Sequence, residues 1–409
     1  MTLRISALFC GLVVALAAVT PVRAAELFTV NAPPSSLEAG ANPAYAALDA
    51  LDAASSPQWL HLHVEAVDPR NATLTFALDG ALRQAHRVSS RKLPDGAIVW
   101  SGRLVGAGEQ EGSIELLRNE AGVSGIIKDG ALYRIEPAGA SAHLLGRDTV
   151  LPSLPRHLPD WQPHRSDVTA AQRRQLQDEA ALASSAAADE TSVLRVMVVT
   201  NTATWQRHGE RVKNRALLGF AEGNRTYVDS RINARMELAS FHVVGYPGRT
   251  MGEAFNHFMN PNTQGGRWAW AQRTTDKADV IMIVMGNDYY CGVAPVGARQ
   301  NNALMVVRYE CLAGNDTVPH EMGHIHGSSH NPEQGGRPLY PWAWGRQVCN
   351  RGSGNWHSVM SYPCANRSAR AQKWTSPIIV HAGQPTGNAA RFDNRRVMEE
   401  NRARVAAFR

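Results

Sequence analysis

Between Cys10 and Cys291 the chain has no cysteine, and no C-x-x-C pair occurs in its 409 residues. The first absence leaves the long N-terminal part without a thiolate, and the second argues against cysteine-based metal sites. Beyond the first 20 residues no apolar run reaches the roughly 18 residues of a spanning helix, so no membrane partner is expected there. Lys and Arg are scattered, without a long run or an RNP-like signature, which argues against nucleic-acid binding. No internal repeat is present. Charged residues make up 19% and apolar residues 44%, ordinary for globular protein, so wholesale disorder is excluded.

A chain of this length calls for two folded units with connecting segments. Residues 1–24 read as a secretory signal. Arg4 is its positive start, Ile5 to Val19 its apolar stretch, and Val22-Arg23-Ala24 a small-residue cleavage site. Cys10 follows bulky Phe9 inside that stretch, unlike a lipid-attachment cysteine. The product is therefore expected to be secreted, to the exterior or to a Gram-negative periplasm. Four cysteines remain, Cys291, Cys311, Cys349 and Cys364, an even set that suggests two disulfides in an exported chain. Three pairings are open, and Cys291–Cys311 with Cys349–Cys364 encloses the shortest loops. From residue 191 onward there are 26 Lys+Arg against 15 Asp+Glu, and upstream 16 against 21. The pattern suggests a basic unit covered by an acidic one.

Residues 26–56 carry little pattern. From Trp59, short alternating runs such as Leu60–Val64, Ala72–Phe76, Ala97–Trp100 and Gly112–Leu116 are punctuated by Asp79-Gly80, Asp95-Gly96 and Asp129-Gly130. Period-two runs with such turns predict a mainly antiparallel β unit over 25–150. A Pro-rich stretch and an Ala/Gln/Glu/Arg-rich segment form a linker over 151–190. The texture over 191–409 is α/β. Strands are expected at Val193–Val199, Leu238–Val244, Val280–Met285 and Ala303–Val307. Helical spacing runs from Trp205 to about Met236, with further helices at Asp316–His326 and Asn394–Phe408.

The chemistry concentrates in His320-Glu321-Met322-Gly323-His324-Ile325-His326-Gly327-Ser328-Ser329-His330. On a helix, His320 and His324 project from one face a turn apart, a spacing that suits one Zn²⁺. Glu321 stands beside the first ligand, able to act on water without ligating. Gly327 permits the positive φ that ends the helix and returns His330 as third ligand. Three protein ligands leave one position open, the mark of a catalytic site. Asn315 and Asp316 are N-cap candidates, Pro319 falls in the first turn, and His326 points away from the metal.

This segment resembles the zinc signature of the metzincin metallopeptidases. Ser358-Val359-Met360-Ser361-Tyr362 resembles the family's methionine turn, with Met360 as the floor beneath the imidazoles. Tyr362 resembles the tyrosine that supports the oxyanion, packing being the alternative. The resemblance covers roughly Val193 to Arg409 and implies a metzincin-like domain with a mixed twisted sheet behind a β pro-domain. Asp279–Val284 ahead of Cys291-Gly292-Val293-Ala294 is similar to bacterial reprolysin-like enzymes, and among these to the peptidyl-Asp metalloendopeptidases, which cut before aspartate. Asn331 departs from the Asp of reprolysins proper. The resemblance implies a secreted zinc endopeptidase acting on protein and peptide substrates, with Glu321 as proton shuttle. It also implies that Ala303–Val307 is the antiparallel edge strand binding substrate backbone. Arg367, Arg370 and Lys373 are candidates to receive an aspartate, against a solvated basic face. The pro-region is expected to inhibit or chaperone the enzyme, without any cysteine switch, and a group from Asp160–Asp167 is one way to reach the metal. A non-catalytic zinc-dependent binding or toxin-like module is the alternative from another class, and the intact Glu321 argues against it.

Overall fold

The computed structural model describes residues 24–31, 57–106, 112–138, 142–148, 169–186, 190–286, 290–349, 354–365 and 368–409. The signal segment, most of the linker including Asp160–Asp167, and Arg367 lie outside them.

Nine strands form the N-terminal unit: β1 (Ala25–Asn31), β2 (Gln58–Leu62), β3 (Thr73–Leu78), β4 (Ala81–Lys92), β5 (Ile98–Leu104), β6 (Ser113–Asn119), β7 (Gly122–Lys128), β8 (Leu132–Pro137) and β9 (His143–Arg147). They close into a barrel in the order β1-β2-β9-β8-β7-β6-β5-β4-β3. Every neighbouring pair is antiparallel except β1 with β3, whose parallel pairing completes the ring. Ala25–Asn31, which showed no sequence pattern, is thus a strand, specified by its partners on both sides rather than by its own alternation. Phe28, Phe76, Trp100, Ile114 and Ile135 fill the interior. Alternation sends Leu117 and Ile126 to the outer face, where they join the core of the second unit. Strands β6 and β7 therefore bury both faces.

After α1 (Ala170–Ala186), the second unit is built on a five-stranded sheet. Its elements are β10 (Ser192–Asn201), α2 (Thr202–His208), α3 (Arg211–Asp229), β11 (Ala234–Val244), α4 (Met251–Met259), α5 (Gln264–Thr275), β12 (Val280–Met285), β13 (Gly292–Val293), β14 (Leu304–Arg308), α6 (Thr317–His326) and α7 (Asn394–Val405). The order is β11-β10-β12-β14-β13, parallel throughout except for β13. Apolar runs on the central strands serve two cores, as a doubly covered sheet requires. Val280, Met282 and Val284 face the core of α3 and α6, while Ile281, Ile283 and Met285 face that of α4.

Two expectations are corrected. The helix predicted from Trp205 to Met236 is two helices and a strand: Gly209, at φ 55°, separates α2 from α3, and Met236 lies on β11. Apolar residues that recur at helical spacing here belong to successive elements packed on one core. Nor is Ala303–Val307 the antiparallel edge. Strand β14 is internal and parallel to β12, and Gly292–Val293 forms the antiparallel margin. Two residues are too short to show a period.

Glycines let α3 approach α6. A Cβ at Gly219 would stand 2.1 Å from the Leu312 carbonyl and 3.0 Å from Val318, and one at Gly223 would meet Met236 at 2.1 Å and Pro319 at 3.5 Å. Disulfides join Cys291 to Cys311 and Cys349 to Cys364. The first ties the margin strand to the turn after β14. Helix α1 lays Leu176 against Leu339, Tyr340, Ala343 and Val397.

Candidate metal centre and active site

Helix α6 carries His320 and His324 on one face and stops at Gly327, whose φ of 115° is the left-handed turn expected there. The chain doubles back and brings in His330. The Nε2 atoms of His320 and His330 lie 3.2 Å apart, and those of His324 and His330 2.9 Å apart. All three rings are buried, and their ligand atoms fall within 4.8 Å of one another. Backbone carbonyls settle the tautomers: His320 Nδ1–H donates to Val359 O at 2.7 Å and His324 Nδ1–H to Ser328 O at 2.8 Å. Their Nε2 lone pairs are left aimed at one point. Imidazoles around a tetrahedral zinc place donor nitrogens about 3.3 Å apart, so this donor set fits that ion. His326 stands outside the group. Its Nδ1–H donates to Met322 O at 2.8 Å, and burial pushes its pKa down to about 4.

Glu321, on the same helix, is buried beneath the margin strand. A Cβ at Gly292 would come within 2.2 Å of Glu321 Oε1, so only glycine lets β13 pass over this carboxylate. Met360 lies against α6 between His320 and His324, since a Cβ at Gly323 would stand 2.4 Å from its sulfur. The Tyr362 ring packs 4.7 Å from that of His330. Asn331 Oδ1 accepts the Tyr362 amide at 3.0 Å, which locks the methionine turn to the segment of the third histidine.

The start of α6 is held unusually. Asp316 occupies the N-cap in a left-handed conformation, φ 59°, and makes no side-chain cap bond. Its carbonyl accepts the His320 amide at 3.0 Å, and Asn315 Oδ1 takes the Thr317 amide. Glu222 of α3 supplies what the cap lacks: its Oε2 accepts the amides of Gly314 at 3.3 Å and Asp316 at 3.2 Å. Lys128, at the end of barrel strand β7, donates to Glu222 Oε1 and lies 3.4 Å from the Asp316 carboxylate. Burial beside Asp316 pushes the Glu222 carboxyl up to about 7. Sequence reading passed over Glu222 and Lys128, although an acid inside the buried stripe of an amphipathic helix was a usable signal.

Of the three cations after the methionine turn, Arg370 is half-buried with Nη1 3.4 Å from Val359 O. Lys373 is buried, and its amine donates to Val380 O at 3.1 Å.

Residues 190–374 match the family model Reprolysin_5, described as metallo-peptidase family M12. Over these residues the chain is similar to the M12-family metallopeptidases. The family implies peptide substrates and a catalytic metal, generally zinc, in keeping with the three imidazoles. This metallopeptidase is 28% identical over 420 residues to a peptidyl-Asp metalloendopeptidase of Stenotrophomonas maltophilia (strain K279a), covering 98% of this chain and 97% of that protein. A peptidyl-Asp metalloendopeptidase of Xanthomonas campestris pv. campestris is 27% identical over 375 residues, covering 87% and 86%. Among solved structures, metalloproteinase-II from Bacteroides fragilis is similar at TM-score 0.41 and 12% identity, covering 66% of this chain and 84% of that one.

Proposed function

We propose that the protein is a secreted zinc-dependent metalloendopeptidase, synthesised as a zymogen with residues 25–150 as pro-domain, that cuts on the N-terminal side of aspartate. The observation that carries this is the meeting of three Nε2 atoms beside Glu321, two of them with their Nδ1 protons committed to carbonyls. His320, His324 and His330 would hold the ion. Bound zinc supplies Lewis acidity toward the scissile carbonyl and toward water. Glu321 takes a proton from the attacking water and delivers it to the leaving amine. Tyr362 donates its hydroxyl proton to the developing oxyanion, and Met360 keeps the floor of the site apolar. The antiparallel margin Gly292–Val293 offers its backbone to an extended substrate by strand addition. We assign Arg370 to the substrate aspartate, since its guanidinium makes only a long bond, Nη1 to Val359 O at 3.4 Å, whereas the Lys373 amine donates to Val380 O at 3.1 Å. Support for the aspartate preference comes from the names of the relatives.

Glu321→Gln tests the assignment. It should lower kcat by about a thousandfold or more, while zinc stays bound at one ion per chain. Chelation should abolish activity in the native enzyme. A variant that still cleaves, or a native protein whose peptide-library products show no aspartate at the new N-terminus, would refute the catalytic or the specificity part respectively.

A further inference from the structure

The catalytic half anchors its zinc-binding helix on two buried acids and receives a balancing charge from the barrel. Glu222 is wholly buried and Asp316 1% exposed. One carboxylate oxygen of Glu222 holds the amides that open α6, and the Asp316 carbonyl holds the amide of His320. Two carboxylates so close and so dry need a cation between them. Other cations face them but bond to neither acid. Arg225 donates to Glu115 at 2.6 Å and to Asp229 at 3.0 Å, and Arg370 reaches Val359 O. Gln372 Nε2 donates to Asp316 Oδ1 at 3.2 Å but brings no charge. The ammonium that touches both acids is that of Lys128.

We propose that Lys128 is a positioning residue for the metal centre: the barrel lends this ammonium to Glu222 and Asp316, and thereby sets the first turn of α6 and the placement of His320. The idea rests on His320 being a ligand, as proposed above. It makes the barrel part of the scaffold of the metal site, which goes beyond latency.

The full-length chain carrying Glu321→Gln, which cannot process itself, is the material for the test. Adding Lys128→Met should weaken zinc binding, read by competition with a chromogenic chelator, by about 10- to 100-fold. In the metal-free protein, hydrogen exchange at the amides of residues 316–320 should quicken. Adding Glu222→Gln as well, which removes the unbalanced charge, should restore both readouts to within about threefold. Lys128→Arg keeps the charge and should keep the affinity, which provides a reading if the methionine variant does not fold. Unchanged zinc affinity and exchange in Lys128→Met, whatever its melting temperature, would overturn the proposal. So would a loss that Glu222→Gln does not repair. Absence of zinc binding in the Lys128-intact protein would instead overturn the metal assignment itself.

Discussion

A glycine one residue before His324 decides how closely the Met360 sulfur approaches α6. A methyl group at Gly323 would stand 2.4 Å from Met360 Sδ, well inside contact, so α6, the methionine turn or the Met360 side chain must move. Gly323→Ala should destabilise the fold by about 1–3 kcal/mol and lower activity more than its melting temperature suggests. Thermal unfolding and kcat/KM on one preparation check this. At this scale the sequence was readable where chemistry dictates residue type, as at His320, His324 and His330, which the fold brings together. It was silent where a residue acts through the space it leaves empty or through a distant partner. Gly323, Gly292 and Asn331 belong to that second group, and so does Lys128, whose acidic partners lie 94 and 188 positions away.

Among elements, α6 was legible because a helix encodes its own period and its stop, whereas β13 was hidden. A two-residue strand is created by its neighbour β14 and by the bond from Cys291 to Cys311. The same logic explains the merged helix: the residues of α2, α3 and β11 share one core, and burial rather than backbone period spaced them. Strand β13 also makes a prediction. Gly292→Ala places a methyl group where Glu321 Oε1 now lies, so the carboxylate must turn aside. We expect kcat to fall by about a hundredfold, with zinc affinity little changed because the atoms nearest the new methyl group all belong to Glu321. A comparable fall in zinc binding would show that the effect spreads beyond Glu321.

In the whole molecule the two units meet through buried charge as well as apolar surface. The expectation of an acidic cover on a basic enzyme is only half the pattern. Arg215 and Arg225 reach barrel acids Glu136 and Glu115, while Lys128 and Arg103 of the barrel reach Glu222 and Asp229 of the second unit. Net charge could not show which way each pair runs. Acid should weaken the barrel side. His143 Nε2 accepts the Val123 amide at 2.9 Å, and burial lowers its pKa from 6.5 to about 4. Because the folded state keeps this imidazole neutral, its contribution is intact above pH 6.5 and is lost as pH falls toward about 4, on the order of 3 kcal/mol. His208, stacked 3.7 Å from Tyr309 and also lowered to about 4, acts in the same direction. Melting temperature followed from pH 7 to 4 should therefore drop, and His143→Gln should flatten the slope; an unchanged slope would remove His143 from the account.

The parallel seam between β1 and β3 bears on self-digestion. An enzyme that grips polypeptide by adding it to a strand margin needs a backbone with unsatisfied amides and carbonyls along one side. A ring of nine strands offers little of it: among the described residues each strand is paired on both sides over at least part of its length. The N-terminal unit can therefore sit beside a peptidase with little of its backbone open to such addition.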